Sequence, residues 1–197
     1  MQIRLFNPVT DMARVVELYQ ACFAEPPWNE RYDPVELEAE FREMFAWPDA
    51  IFLVMESDGV VIAGAIGFNV CRKHDVCERI PDEDRNSFYV AELFVDPMGR
   101  QRGVCRKMNE ALLQIAWRFG FRRASVRTSE AQTIIQHLFV DGMRFLIVNT
   151  QEVVSTKWID GEEQQVPDRR VLMVGEIPGY DKINQPSAPE FPGCWHR

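Results

Sequence analysis

The chain has no apolar run approaching the ~20 residues that a membrane-spanning helix needs, although 46% of its 197 residues are hydrophobic. It also lacks a basic excess. With 22 Lys and Arg against 30 Asp and Glu, the formal charge is -8 and the pI about 5.0. That balance argues against non-specific binding to nucleic acid or to an anionic membrane. No CxxC pair occurs among the five cysteines, at positions 22, 71, 77, 105 and 194, and that number is odd. The N-terminus, MQIRLFNPVTD, has no cationic start followed by an apolar region. A cytoplasmic protein with reduced thiols is therefore expected. Cys71, His74 and Cys77 have the spacing of metal ligands, with His137 or Cys194 and His196 as distant complements. Structural zinc sites usually combine two tight ligand pairs, and this sequence offers one cluster, so no metal is expected. A GxGxxG pattern and a P-loop lysine are missing too, which sets aside the common nucleotide-binding loops.

What is present is enough apolar material for one domain, placed at residues 1–177. A proline-containing tail follows over 178–197. Gln2 to Phe6 alternates like a strand, and Thr10 or Asp11 can cap a helix with Met12, Val15, Val16, Leu18, Tyr19 and Cys22 on its apolar face. The loop Glu25-Pro-Pro-Trp-Asn-Glu30 leads to Asp33-Pro34-Val-Glu36, an N-cap, a first-turn proline and a glutamate three residues past the cap. Strands are predicted over Ile51–Glu56 and Val60–Val70 with a Ser57-Asp58-Gly59 turn between them. An exposed loop is predicted over Arg72–Asn86, and a strand over Ala124–Thr128. Beyond that come a helix from Ser129 or Glu130 to Val140, strands over Phe145–Trp158 and Arg170–Ile177, and a turn over Ile159–Asp168. The result is a mixed sheet flanked by helices, an α/β (α+β) class.

The chain is organised around Ser87–Phe119. A strand-like run, Phe88–Val95, is broken by Pro97 and Gly99, and a helix begins near Arg102 with Val104, Met108, Leu112, Ile115 and Phe119 at steps of three and four. Arg100, Arg102, Arg106 and Lys107 sit between them, with no acidic residue over positions 97–108. A strand, a short basic loop containing glycine and a helix N-terminus together suit a phosphate group, because free backbone N–H groups and the helix dipole both face the anion. Screening acts over about 8 Å at physiological salt, so this local charge outweighs the distant carboxylates of an acidic protein.

Leu93-Phe-Val-Asp-Pro97 followed by Arg100-Gln-Arg-Gly103-Val-Cys105 resembles the GNAT superfamily of acetyl-CoA-dependent N-acyltransferases. Arg100, Gly103 and Cys105 fall on the three signature positions, with Cys105 in place of the usual Gly or Ala. The order of elements resembles the family over residues 2 to 177. The resemblance implies a mostly antiparallel sheet with about four helices, and acetyl-CoA as cosubstrate without a metal. It also implies that the backbone of Leu93, Phe94 and Val95 pairs with the pantetheine arm. The N–H near Leu93 would polarise the thioester, and amides from Arg100, Gln101, Arg102, Gly103, Val104, Cys105 and Arg106 would cradle the pyrophosphate. The expected reaction is direct acetyl transfer to a primary amine of a small molecule or peptide. The alternative is a non-catalytic acyl-CoA-binding module on the same fold.

An amine near pKa 10.4 must lose a proton, which costs about 4–5 kcal/mol at neutral pH. Glu92, on the central strand, is the carboxylate best placed to take it. An ion pair to a neighbouring helix or a contact to a cationic acceptor would also account for it. Strand alternation sets Glu92 opposite Leu93 and gives Tyr89 the parity of Leu93. Tyr89 is thus either a second catalytic group or a residue of an amphipathic sheet. The tyrosine that the family often carries on its later helix falls at Leu138 or Phe139 here, neither of which donates a proton, and His137 is either its substitute or an incidental histidine on the helix surface. Glu25, Trp28, Glu30 and Tyr32 would form an aromatic and acidic rim suited to a cationic amine, unless Trp28 and its prolines only pack the loop. Tyr180, Phe191 and Trp195 give the tail enough apolar bulk to lie over the acceptor cleft, or to cross to a second subunit and so make a homodimer.

Overall fold

The computed structural model describes residues 1–100 and 102–179. Gln101 and the expected tail from Tyr180 onward lie outside the described residues. Seven strands form one sheet in the order β1-β2-β3-β4-β5-β7-β6. They are β1 (Gln2–Leu5), β2 (Ile51–Ser57), β3 (Val60–Asn69), β4 (Phe88–Val95), β5 (Arg123–Ser129), β6 (Leu146–Ile159) and β7 (Glu162–Glu176). Every pairing is antiparallel except β4 with β5, which a helical crossover makes parallel.

Helices cover both faces. On one lie α1 (Met12–Phe23) and α2 (Pro34–Ala46), whose Leu18, Tyr19, Leu37 and Phe41 bury against Phe52, Phe68 and Phe94 of the sheet. Asp33 caps α2 as its sequence predicts, accepting from the N–H groups of Val35 at 2.8 Å and Glu36 at 3.0 Å. Asp11 precedes α1 but makes no side-chain cap; its carboxylate turns to Arg4 at 2.6 Å and to the N–H of Asn7 at 2.8 Å. The other face carries α4 (Val104–Arg118) and a helical segment in which α5 (Thr133–Gln136) passes into a π-turn over His137–Asp141. Met108, Leu112, Leu113 and Phe139 are its buried centre.

Three local readings need correction. The span 72–86 is not simply an exposed loop: it contains a single-turn helix, α3 (His74–Cys77), and buries Val76 and Ile80 in the core beneath α1. The broad turn expected over Ile159–Asp168 shrinks to Asp160-Gly161, both at positive φ, so β6 and β7 form one long hairpin. Asp-Gly is the pair that a two-residue hairpin turn selects. Finally, Ile66 pairs with Glu92 but Gly67 pairs with Val90, so Ala91 is an extra residue bulged out of β4.

The bulge re-phases the strand. Tyr89 joins Phe94 and the α1 side, whereas Leu93 packs with the α4 side. The expected shared parity of Tyr89 and Leu93 does not hold, and Tyr89 shares its face with Glu92 instead. Gly67, opposite the bulge, has no room for a side chain: a Cβ would stand 2.4 Å from the Phe88 ring and 2.8 Å from the Tyr89 carbonyl oxygen. Backbone cannot retreat as a flexible side chain can, so Gly67→Ala is expected to cost about 1–3 kcal/mol, read from the urea midpoint.

Candidate active site

β4 and β5 are paired only from Phe88 to Val90, opposite Ala124 to Val126. Past that point the two parallel strands part, and Glu92 to Val95 keep their ladder on the β3 side alone. A parted parallel pair leaves backbone donors and acceptors along one edge of β4 open to an extended ligand. The cavity in the gap has a volume of about 910 Å³, large enough for an extended cofactor and a small acceptor together.

At one end of this cavity stands the N-terminus of α4. Its N-cap is Gly103 at φ 71, in the left-handed region, with no side-chain cap and no acidic residue in the first turn. The first N–H groups of the helix are therefore left for an anion to satisfy. Val104 is buried and fixes the helix start, Arg102 and Arg106 are exposed, and Cys105 lines the cavity. Burial pushes the Cys105 thiol up to about 11, so it carries no thiolate at neutral pH. Arg100 also lines the cavity, with its guanidinium already engaged. It donates to the Val95 carbonyl at 3.3 Å and pairs with Glu25 at 2.6 Å. Glu25 thereby leaves the acceptor rim on which the sequence reading had placed it and ties the loop after α1 to the loop before α4.

The other end is built by the loop between α1 and α2, held down by the β6–β7 hairpin. The Trp158 backbone N–H donates to the Asn29 carbonyl at 2.6 Å, Lys157 Nζ donates to the Pro27 carbonyl at 2.7 Å, and the Arg31 guanidinium stacks 3.8 Å above the Trp158 ring. Trp28, Glu30 and Tyr32 line the cavity from this loop. Arg170, from β7, lies 5.1 Å from the Trp28 ring centre and 3.7 Å from Glu30, and Asp168 balances its charge at 2.7 Å.

Glu92 stands on the wall between the two ends, half-buried and accepting a hydrogen bond from the Tyr19 hydroxyl at 3.1 Å. Burial pushes its carboxyl up to about 7, the Tyr19 hydrogen bond pulls it down in part, and Glu40 and Glu30 raise it further while Lys73 lowers it. Neither a lysine nor an arginine pairs with it among the described ion pairs. Beside it, Tyr19 packs edge-on to Tyr32, whose hydroxyl donates a short hydrogen bond to Glu30. Burial, with Glu92 and Glu30 nearby, raises both phenols above their ordinary value. Tyr89 is buried on the same wall and pushed up to about 12, mainly by burial. Leu138 and Phe139 also line the cavity, and His137 is exposed and paired with Asp141 at 2.7 Å.

The sequence singles out Glu92 and places Tyr19 on the apolar face of α1, with no sign that the two meet. The two residues are 73 apart in the chain, and nothing local signals their contact. A test of that contact follows from its sign. Tyr19→Phe removes a hydrogen bond that favours the carboxylate, so the acidic limb of any Glu92-dependent activity should move to higher pH. At pH 7 kcat/KM should fall about 3- to 10-fold.

Cys71, His74 and Cys77 do not themselves line this cavity. Among the described residues no group of three or more His, Cys, Asp or Glu side chains is placed to hold a metal ion. No described helix is long and apolar enough to cross a membrane.

A family model for the acetyltransferase (GNAT) family matches residues 12–143. Among solved structures, yncA of Salmonella typhimurium, determined with its cofactor acetyl-CoA, is 20% identical, with a TM-score of 0.64 over 96% of this chain and 98% of its own. The ribosomal-protein-alanine N-acetyltransferase of Brucella melitensis is 16% identical, with a TM-score of 0.67 over 89% of this chain and 99% of its own. An N-acetyltransferase of Staphylococcus aureus Mu50 is 15% identical, also at 0.67, over 89% of this chain and 98% of its own. No curated protein sequence matches this one.

Proposed function

Because the chain belongs to the acetyltransferase (GNAT) family, we propose that it moves an acetyl group from acetyl-CoA directly to a primary amine, with Glu92 as the general base. One observation carries this reading. A half-buried carboxyl poised at about 7 and held by Tyr19 lines the same cavity that ends at the uncapped N-terminus of α4.

The residues at the cofactor end fit a polyanion followed by an extended arm. Gly103 and the free amides from Val104 to Arg106 would hold the pyrophosphate, and the open edge of Leu93, Phe94 and Val95 would pair with the arm. When bound, acetyl-CoA supplies an activated acetyl thioester. Everything else falls to the chain. Glu92 takes the proton that the amine must lose, and its position near 7 keeps roughly half of it ionised at neutral pH, where a base is most useful. Tyr89 keeps its proton at that pH and stands on the same wall as a hydrogen-bond donor. Glu30 and Glu92 offer carboxyl groups to a cationic amine, and Asp168 balances the charge of Arg170 beside them.

Cys105 takes no covalent part in this scheme. It sits at the α4 N-terminus with a raised pKa, so Cys105→Ala is expected to retain activity within about 3-fold, since it removes neither a base nor a nucleophile. An acetylated Cys105 recovered by peptide mass mapping would overturn direct transfer.

The experiment is acetylation of a panel holding spermidine, tyramine, free lysine and an alanine-initiated peptide, with products identified by mass. Turnover of one or more amines, lost in Glu92→Gln, is the expected result. Tight binding of CoA without turnover across the panel would favour a non-catalytic acyl-CoA-binding module.

A further inference from the structure

The cluster that looks like part of a metal site is better explained as a dithiol. Cys71, in a 3-10 turn over Val70–Arg72, and Cys77, at the end of α3, bring their sulfurs to 3.6 Å. His74 does not join them in a ligand group. Cys71 is exposed and Cys77 half-buried, so a reagent in solution can reach the pair. The backbone around them is pinned. Asn69 Oδ1 accepts from the Cys71 N–H at 2.9 Å, Val70 and Val76 are fully buried, and the Cys71 thiol donates to the Arg85 carbonyl at 3.0 Å. A disulfide needs about 2.05 Å between sulfurs, so closure from 3.6 Å draws the two thiols together by about 1.5 Å and pulls on the turn that joins them.

We propose that Cys71 and Cys77 form a reversible dithiol–disulfide modification site that reacts with small-molecule disulfides such as oxidised glutathione. The Cys71 thiolate attacks one sulfur of the disulfide and expels one glutathione thiolate, giving a mixed disulfide at Cys71. The Cys77 thiolate then attacks the Cys71 sulfur and expels the second glutathione. Overall the two protein thiols are oxidised to one disulfide, one glutathione disulfide is reduced to two thiols, and the two protons pass to the leaving thiolates. Cys71 is the first attacker because it is exposed, whereas burial and the adjacent Cys71 hold the Cys77 thiol up.

The site also reaches the cavity. Asp75 lies between the two cysteines and pairs with Arg127 at 2.7 Å, and Arg127 lines the cavity beside Tyr89. Closing the disulfide reshapes the turn that presents Asp75, and so bears on the acceptor wall. This last step rests on the acetyl-transfer reading, whereas the dithiol chemistry does not.

The test incubates the full chain in oxidised glutathione, alkylates the remaining thiols and maps the peptides by mass. The expected product is a Cys71–Cys77 link that dithiothreitol reverses, with Cys77→Ser halting at glutathione on Cys71. Three results overturn the site: both thiols alkylated throughout, a stable glutathione adduct on Cys71 in the unaltered chain, or a link from Cys71 to Cys22, Cys105 or Cys194. The coupling is read on whichever panel amine has the highest kcat/KM. Closure should raise its KM several-fold, leave the KM for acetyl-CoA unchanged, and have no effect in a Cys71→Ser, Cys77→Ser double variant. Equal amine KM values before and after closure overturn the coupling. A panel without turnover fails the acetyl-transfer reading and the coupling with it, and the mass map alone then decides the dithiol site.

Discussion

Glu92→Gln is expected to lower kcat/KM for the acceptor amine by about 10²- to 10⁴-fold, the usual range for removing a positioned general base. Glutamine keeps the shape and can still accept from Tyr19, but it cannot take a proton. The unaltered protein should show kcat/KM rising with pH as Glu92 ionises through about 7, and the variant should lose that limb. Acetyl-CoA binding should be unchanged, because the α4 N-terminus and the β4 edge are untouched. A variant with an unaltered pH profile would remove Glu92 from the mechanism and return it to the role of an acceptor contact.

The same substitution has an opposite effect on stability. Glu92 has an ordinary value of 4.5 and a folded value of about 7. Below 4.5 both folded and unfolded chains hold the proton, so the group costs nothing. Between the two values the unfolded chain releases a proton that the folded chain retains, and stability falls as pH rises through that window. Above it the folded protein bears the full cost of a half-buried carboxylate, about 1–3 kcal/mol after allowance for its access to the cavity. Glu92→Gln should therefore be more stable than the unaltered chain at pH 8 and equal to it near pH 4. A variant that gains stability where it loses activity marks a residue kept for chemistry.

How much of this could be read from the amino-acid order depends on the range of the signal. The strand, loop and helix around Gly103 are local, written in Pro97, Gly99 and the spacing from Val104 to Leu112, and the structure reproduces them. Asp160-Gly161 was equally local, but the charged and glutamine-rich residues after it hid the continuation of β7. The bulge at Ala91 has no sequence mark of its own. It depends on Gly67, on the neighbouring strand, giving the Phe88 ring a place to lie, and it alone decides that Tyr89 faces the α1 side. The Glu92 contact to Tyr19 and the Arg100 pair with Glu25 are tertiary in the same sense. Each joins residues whose separate contexts read as core helix, strand or loop. In the span 72–86, Val76 and Ile80 were the available warning, two apolar residues one helical turn apart in an otherwise charged stretch.

Gly103→Ala carries the second large expectation. Gly103 sits at φ 71, where an added Cβ meets nothing within 4 Å, so the free protein suffers no clash. The cost is conformational: about 1–2 kcal/mol for an L-residue in the left-handed region, or a fall in Tm of roughly 2–8 °C for a chain of this size. Binding should suffer more. A phosphate must approach the amides that open α4 to hydrogen-bond distance, and an alanine that relaxes out of the left-handed region turns those amides away from it. Losing one or two charge-assisted bonds of about 1.5–3 kcal/mol each raises the KM for acetyl-CoA by at least ~10-fold. At saturating acetyl-CoA kcat should hold, because Glu92 and Tyr19 belong to β4 and α1 and not to the α4 N-terminus. Added salt should raise the KM of the unaltered protein, since the attraction is electrostatic and partly exposed. A Gly103→Ala protein with reduced kcat and an unchanged KM for acetyl-CoA would mean that the helix N-terminus does not hold the pyrophosphate. The roles assigned from Arg100 to Arg106 would then have to be moved elsewhere along the cavity.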